Sequence, residues 1–253
     1  EYRLCADFAG EHSWIDAINK GADPHQWVAD MMGVGRKEAK TLNFMLLYGG
    51  GLAKLASALF PVKTDEETLA AICRIHLYNS RNISPKEMHL HKRQSQEVIE
   101  HELELLRKAE SLKKLYFNSL PAVAKFTKDV QNIAISRGFV RNYYGARYYL
   151  DEEKFAYRLP NHLIQGTGAC IIRSAMNKLS YVLEGMKSNM ILQIHDELLF
   201  EIHKDETQIV AELQRIMEDE YISINGMNLK CDVEYSEHSW NANTFNSWGN
   251  YGH

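Results

Sequence analysis

Arg36, Lys40, Phe44 and Tyr48 follow one another at intervals of four residues, and side chains four apart on a helix stack along one face. Read as a helix, that face runs cation, cation, ring, ring. An arginine and a lysine one turn apart form a clamp for a polyanion such as a triphosphate, and the phenyl and phenol beyond them offer flat surfaces for a sugar and a base. A second chemically capable set is His195-Asp196-Glu197, set between two apolar runs within residues 190–202. Such runs predict two buried strands joined by a tight turn. An aspartate held rigidly at that turn presents a carboxylate able to bind a hard divalent cation.

The elements that must position these groups follow from local pattern. Ala39, Leu42, Leu46 and Leu47 supply an apolar side that docks the 36–48 helix, and Gly49-Gly50-Gly51 ends it. Upstream, Ser13 is the expected N-cap of a helix through Asn19, and residues 21–25 read as a turn with Pro24 opening the next helix. Downstream, helical periodicity covers 52–60 and 65–78, then a long polar stretch over 85–120 with Glu97, His101, Glu104 and Lys108 at helical spacing. Another helix ends near Gly138, and residues 139–150 read as an aromatic-rich hairpin turned at Gly145. A helix opening around Asn161, an amphipathic helix over 205–221 and a strand over 229–235 complete the pattern.

Composition sets bounds. The 253 residues carry a formal charge of -4, and the apolar and charged fractions, 45% and 25%, are those of an ordinary globular chain. Net charge therefore excludes little, and no apolar run approaches the length of a membrane span. Cys5, Cys73, Cys170 and Cys231 are scattered without a CxxC pair, which argues against a structural zinc site and a disulfide framework and points to a reducing interior.

The 36–51 stretch resembles motif B of family A DNA polymerases, whose pattern is Arg, three residues, Lys, three residues, Phe or Tyr, three residues, Tyr-Gly. Every position is filled here. Residues 193–197 are similar to the family's motif C, and the opening Glu1-Tyr-Arg3 looks like the tail of motif A. That motif's metal-binding aspartate would stand five positions before Glu1, so the resemblance implies that an upstream segment or a second chain supplies it, together with a thumb. Asn161, Gln165, Gly166 and Thr167 match the family's Asn, three residues, Gln-Gly-Thr. The join over 31–35 is shorter than in many bacterial members of the family and looks phage-like.

The resemblance implies an α+β fold, with helical fingers over 11–150 and a palm with a small antiparallel sheet built from 1–10 and 151–253. It implies deoxynucleotide transfer from dNTPs to a primer 3′-hydroxyl with two Mg2+ ions. Asp196 would hold metal, with Glu197 auxiliary and His195 near the primer end. Arg36, Lys40 and His25 would hold phosphates, Phe44 would pack on the sugar, Tyr48 would guard the templating position and Glu1 would block a ribose 2′-hydroxyl. Asn161 and Gln165, each both donor and acceptor, suit minor-groove base edges. Arg147 and Arg3 would contact DNA, although the family usually has several arginines where only Arg147 stands. The implied partners are primer-template DNA, dNTP and the upstream segment. The implied location is the cytoplasm of a bacterial or phage-infected cell, or an organelle. A catalytically dead DNA-binding module stays open as an alternative. A His-Asp metal phosphohydrolase is disfavoured, because such enzymes carry that pair on helices.

Overall fold

A computed structural model describes residues 1–60, 96–237 and 246–248. The helix expected over 65–78, the start of the long polar helix and Cys73 lie outside these residues. Five helices come first, α1 (Tyr2–Ala9), α2 (His12–Asn19), α3 (Pro24–Met32), α4 (Arg36–Leu47) and α5 (Leu52–Leu59). Two long ones, α6 (Gln96–Ser119) and α7 (Pro121–Arg137), lead into the hairpin β1 (Phe139–Arg141) and β2 (Arg147–Tyr149). Next come α8 (Leu159–Val182), a second hairpin of β3 (Asn189–Ile194) and β4 (Glu197–Glu201), and α9 (Val210–Asp219). Last is a short ladder of β5 (Glu234–Tyr235) and β6 (Asn246–Ser247). Among the described residues all three strand pairs are antiparallel, so the α+β expectation is met by a mostly helical chain with small sheets. No helix among the described residues is long and apolar enough to cross a membrane.

The largest apolar cluster joins α1 to α5 with α6, α7 and one side of α8, through residues such as Trp14, Leu42, Leu55, Tyr116 and Ile164. Burying rings and branched chains of this size is the main stabilising term of the body. A separate cluster places Ala175 and Leu179 of α8, with Leu183 just past its end, against Leu213 and Ile216 of α9, with Met190, Leu198 and Phe200 of the second hairpin packed on it.

Several elements differ from expectation, most of them because a buried or charged partner takes the group concerned. Helix α2 starts at His12 with Glu11 before it, and the Ser13 hydroxyl donates to the Glu11 carboxylate at 2.8 Å instead of capping. The other Glu11 oxygen accepts from the Ala122 amide at 3.0 Å. One buried carboxylate thus serves the N-termini of α2 and α7, where helix dipoles favour an anion. The helix expected over 205–221 is α-helical only from Val210, behind a short 3-10 turn. Ahead of that turn Glu206 folds back to accept from the Lys187 and Ser188 amides and the Ser188 hydroxyl.

The strand expected from 229 shrinks to two residues. Cys231 instead donates its amide to Glu218 and accepts from Gln214, both on α9. The second hairpin is not buried on both sides, since Ile191 and Leu192 are 56% and 44% exposed. A two-stranded ribbon has one face on the α8–α9 cluster and leaves the other open.

The segment after α9 is tied to α1 by Asp7, which is fully buried. Its carboxylate accepts from the Tyr221 hydroxyl (2.5 Å), the Ser223 hydroxyl (2.6 Å) and the amides of Ile224 (2.9 Å) and Asn225 (2.7 Å). Because α1 begins beside Glu1 and Tyr2, this knot also fixes the start of the chain against the rest of the body.

Candidate functional site

Helix α4 buries Ala39, Leu42, Asn43, Leu46 and Leu47 and leaves Arg36 and Lys40 exposed with Phe44 and Tyr48 half-buried. The expected face is therefore present. The helix stops in a tight C-terminal turn in which the Gly49 amide bonds the Leu46 carbonyl and the Gly50 amide bonds the Met45 carbonyl, a Schellman arrangement. Gly49 has a φ of +68°, and a Cβ there would stand 2.6 Å from the Tyr157 carbonyl oxygen. Glycine meets both demands.

At the cationic end, Arg36 pairs with Asp23 at 2.7 Å. The other Asp23 oxygen caps α3 through the His25 and Gln26 amides. An exposed pair of this kind is worth at most about 1 kcal/mol, so a polyphosphate can exchange with Asp23 for Arg36. Lys40 lies 6.0 Å from the Phe44 ring centroid. Phe44 is edge-on to Tyr2 at 5.2 Å and tilted against His25 at 5.9 Å and Tyr48 at 5.7 Å. Burial, together with the charges of Arg36 and Lys40, outweighs Asp23 and holds the His25 imidazole below its usual pKa. The neutral ring is thereby favoured.

At the other end, the Tyr48 hydroxyl donates to one Glu1 carboxylate oxygen, and Gln165 reaches the other at 3.5 Å. Burial first, then the Glu1 hydrogen bond and charge and the Asp196 charge, push the Tyr48 phenol well above its ordinary pKa. It stays a protonated donor. Glu1, Tyr48 and Gln165, far apart in sequence, thus meet at one point, and Asp196 is near enough to be felt there.

Gln165 is free to do so because its neighbours dock the first hairpin. A Cβ on Gly166 would stand 1.8 Å from the Tyr148 hydroxyl, and Thr167, bonded to the Leu163 carbonyl, accepts from the Tyr143 amide at 3.4 Å. Asn161 sits one turn earlier on α8 with its Oδ1 buried and unpartnered.

Asp196 and the exposed His195 form the two-residue turn between β3 and β4, where Ile194 pairs with Glu197. His195 has a φ of 55°, the left-handed backbone that the first residue of such a hairpin turn adopts. Asp196 and Glu197 are both exposed. Magnesium commonly takes one or two carboxylates and fills its remaining positions with water and phosphate oxygens, so these hard oxygen donors fit it. Among the described residues no group of three or more His, Cys, Asp or Glu side chains could hold a metal by itself.

The two expected DNA-contacting arginines are placed differently from each other. Arg147 is exposed on β2 with its guanidinium 4.9 Å from the Phe139 ring, and Arg141, its partner across the hairpin, lies 5.7 Å from the same ring. Arg3 turns away from the Glu1 point and donates to the Asn228 carbonyl at 2.9 Å. Asp23, Asn43 and Arg141 were missed in the sequence. The Asp-Pro pair at a helix start was a usable signal for Asp23, and strand pairing across Gly145 was one for Arg141.

The family model for DNA polymerase family A matches residues 94–242, more than half of the chain. Thermostable DNA polymerase I of Thermus aquaticus is 28% identical over 87% of this chain and 24% of its own length. DNA polymerase I of Geobacillus stearothermophilus is 27% identical over 93% of this chain and 24% of its own. The chain thus spans about a quarter of the length of these relatives. The POL domain of Pol1 from M. smegmatis, solved in complex with DNA primer-template and dNTP, matches 90% of this chain and 36% of its own. That match has a TM-score of 0.66 at 24% identity and is a likeness of fold.

Proposed function

The chain belongs to DNA polymerase family A, and on that premise we propose that it carries the nucleotide-selecting face and one metal-binding carboxylate of a template-directed DNA polymerase. The reaction is attack of a primer 3′-hydroxyl on the α-phosphorus of a deoxynucleoside triphosphate, with pyrophosphate leaving. The observation that carries this reading is the α4 face itself. Two exposed cations stand at one end, an aromatic wall lies in the middle, and Tyr48 meets Glu1 and Gln165 at the far end.

In this reading Arg36, Lys40 and His25 hold the triphosphate, Phe44 packs on the deoxyribose, and Glu1 excludes a ribose 2′-hydroxyl. Tyr48 guards the templating position. Asn161 and Gln165 read minor-groove edges of the nascent pair, and Arg141 and Arg147 hold backbone phosphates. Asp196, with Glu197 beside it, would hold Mg2+, and in such sites two ions stabilise the attacking and leaving oxygens. Residues 11–150 then act as fingers, with 1–10 and 151–253 in the palm. Positioning and electrostatics, rather than covalent chemistry by the protein, supply the acceleration.

Phe44 gives the test. A phenyl ring packs without hydrogen bonding, so the 3′-hydroxyl of the bound nucleotide must itself supply the polar contact near the phosphates. A dideoxynucleotide lacks it and should be a poor substrate. Phe44→Tyr in the full-length protein places a phenolic hydroxyl there. One hydrogen bond to a charged group is worth roughly 1.5–3 kcal/mol, so relative dideoxynucleotide incorporation should rise by about one to two powers of ten. Competitive incorporation of dideoxy- against deoxynucleotide measures the ratio, and an unchanged ratio removes Phe44 from the sugar.

A further inference from the structure

Asn43 precedes Phe44 on α4 and is fully buried, an unusual place for an amide on the side that docks the helix. Burying an amide costs stability unless it is hydrogen-bonded. Its nitrogen lies 3.1 Å from Nδ1 of His25, and its Oδ1 has no partner. The contact is therefore directed at one atom of one ring. With the amide in this orientation its NH2, which only donates, faces Nδ1, an arrangement that suits an accepting Nδ1 and a ring proton on Nε2. Tyr2, edge-on at 4.9 Å, and Phe44 hold the ring in that orientation.

The geometry points to Asn43 as a positioning residue that acts through His25, keeping the imidazole as an Nε2–H donor for a phosphate oxygen of the incoming nucleotide. This rests on the nucleotide-binding reading above. A carboxylate at position 43 would instead draw a proton to Nδ1 and favour the imidazolium. An aliphatic chain would leave either tautomer free to form. The groups facing the ring are Asp23 at the start of its own helix, Arg36 and Lys40 from α4 and Tyr2 from α1, and none is altered by a substitution at 43.

The test is a double-mutant cycle in the full-length protein, reading the KM for dNTP and kcat in primer extension. Asn43→Leu should raise the KM about tenfold at neutral pH, the worth of one hydrogen bond, with a smaller change in kcat. In a His25→Ala background the same substitution should change the KM little. Asn43→Asp, which keeps the size of the side chain, should move the pH at which the KM responds to His25 protonation upward. An equal Asn43→Leu effect with and without His25 means that Asn43 only packs, and overturns the proposal alone. An unmoved pH response in Asn43→Asp overturns it too. If His25→Ala leaves the KM for dNTP unchanged, the proposal falls together with the phosphate role of His25.

Discussion

Asp196→Asn should lower primer extension by the full-length protein roughly a thousandfold while its affinity for primer-template DNA stays nearly the same. Metal-assisted charge stabilisation is worth several kcal/mol, and about 1.4 kcal/mol is a factor of ten in rate. The substitution removes one negative charge from an exposed position on a two-residue turn, where asparagine is as acceptable as aspartate. The fold should not notice it. Single-turnover extension gives the chemical rate, and a DNA-binding titration gives the affinity. A loss confined to the rate places Asp196 in the chemistry, whereas equal losses in rate and binding would make it a structural residue.

Asp7→Asn should cost about 3–5 kcal/mol of stability, because each buried donor left without an acceptor costs roughly 1–3 kcal/mol. Four donors converge on its carboxylate, two of them backbone amides. An asparagine keeps one acceptor oxygen and turns an NH2 toward groups that also donate. By the size scaling of thermal unfolding this is a fall in Tm of roughly 6–20 °C. Hydrogen exchange at the Ile224 and Asn225 amides should accelerate as well.

The pH dependence has a definite sign. Burial alone would push the Asp7 carboxyl up, but the hydrogen bonds from Ser223, Tyr221, Ile224 and Asn225 outweigh it and hold the group below the usual carboxylate range. A carboxylate depressed in the fold contributes stability that is present above its unfolded pKa, near 3.9, and is lost as pH falls through the folded value. Wild type should therefore lose this contribution only in strong acid, and Asp7→Asn should lack it at every pH. An unchanged Tm would show that the 221–225 segment is held by packing alone.

Both predictions turn on what local pattern can and cannot reveal. Periodicity is enough for α4, because the side that docks and the side left open differ in residue type every turn, and Gly49 closes it with a conformation few other residues take. The hairpin at Gly145, the Asp-Pro start of α3 and the turn at His195-Asp196 are equally local. Asp7 is a different case, since its partners lie more than two hundred residues away and nothing near position 7 announces them. Glu11, which joins α2 to α7, and Asn43, which fixes His25, also look like ordinary polar residues until the helices are brought together. The apolar run of β3 is less buried than its pattern suggests for a related reason, because a run of hydrophobic residues states a preference for burial and says nothing of how many neighbours exist to provide it.

The most direct test of the α4 face as the nucleotide site is the dissociation constant of a correctly paired dNTP in the complex of the full-length protein with primer-template DNA. It is to be compared between wild type and Lys40→Ala. Lys40 is exposed and lies over the edge of the aromatic wall, so its removal should leave the fold and the DNA affinity alone. Loss of one charged phosphate contact, roughly 1.5–3 kcal/mol, should weaken dNTP binding by about 10- to 100-fold. A dissociation constant within twofold of wild type would contradict the assignment of this face to the nucleotide.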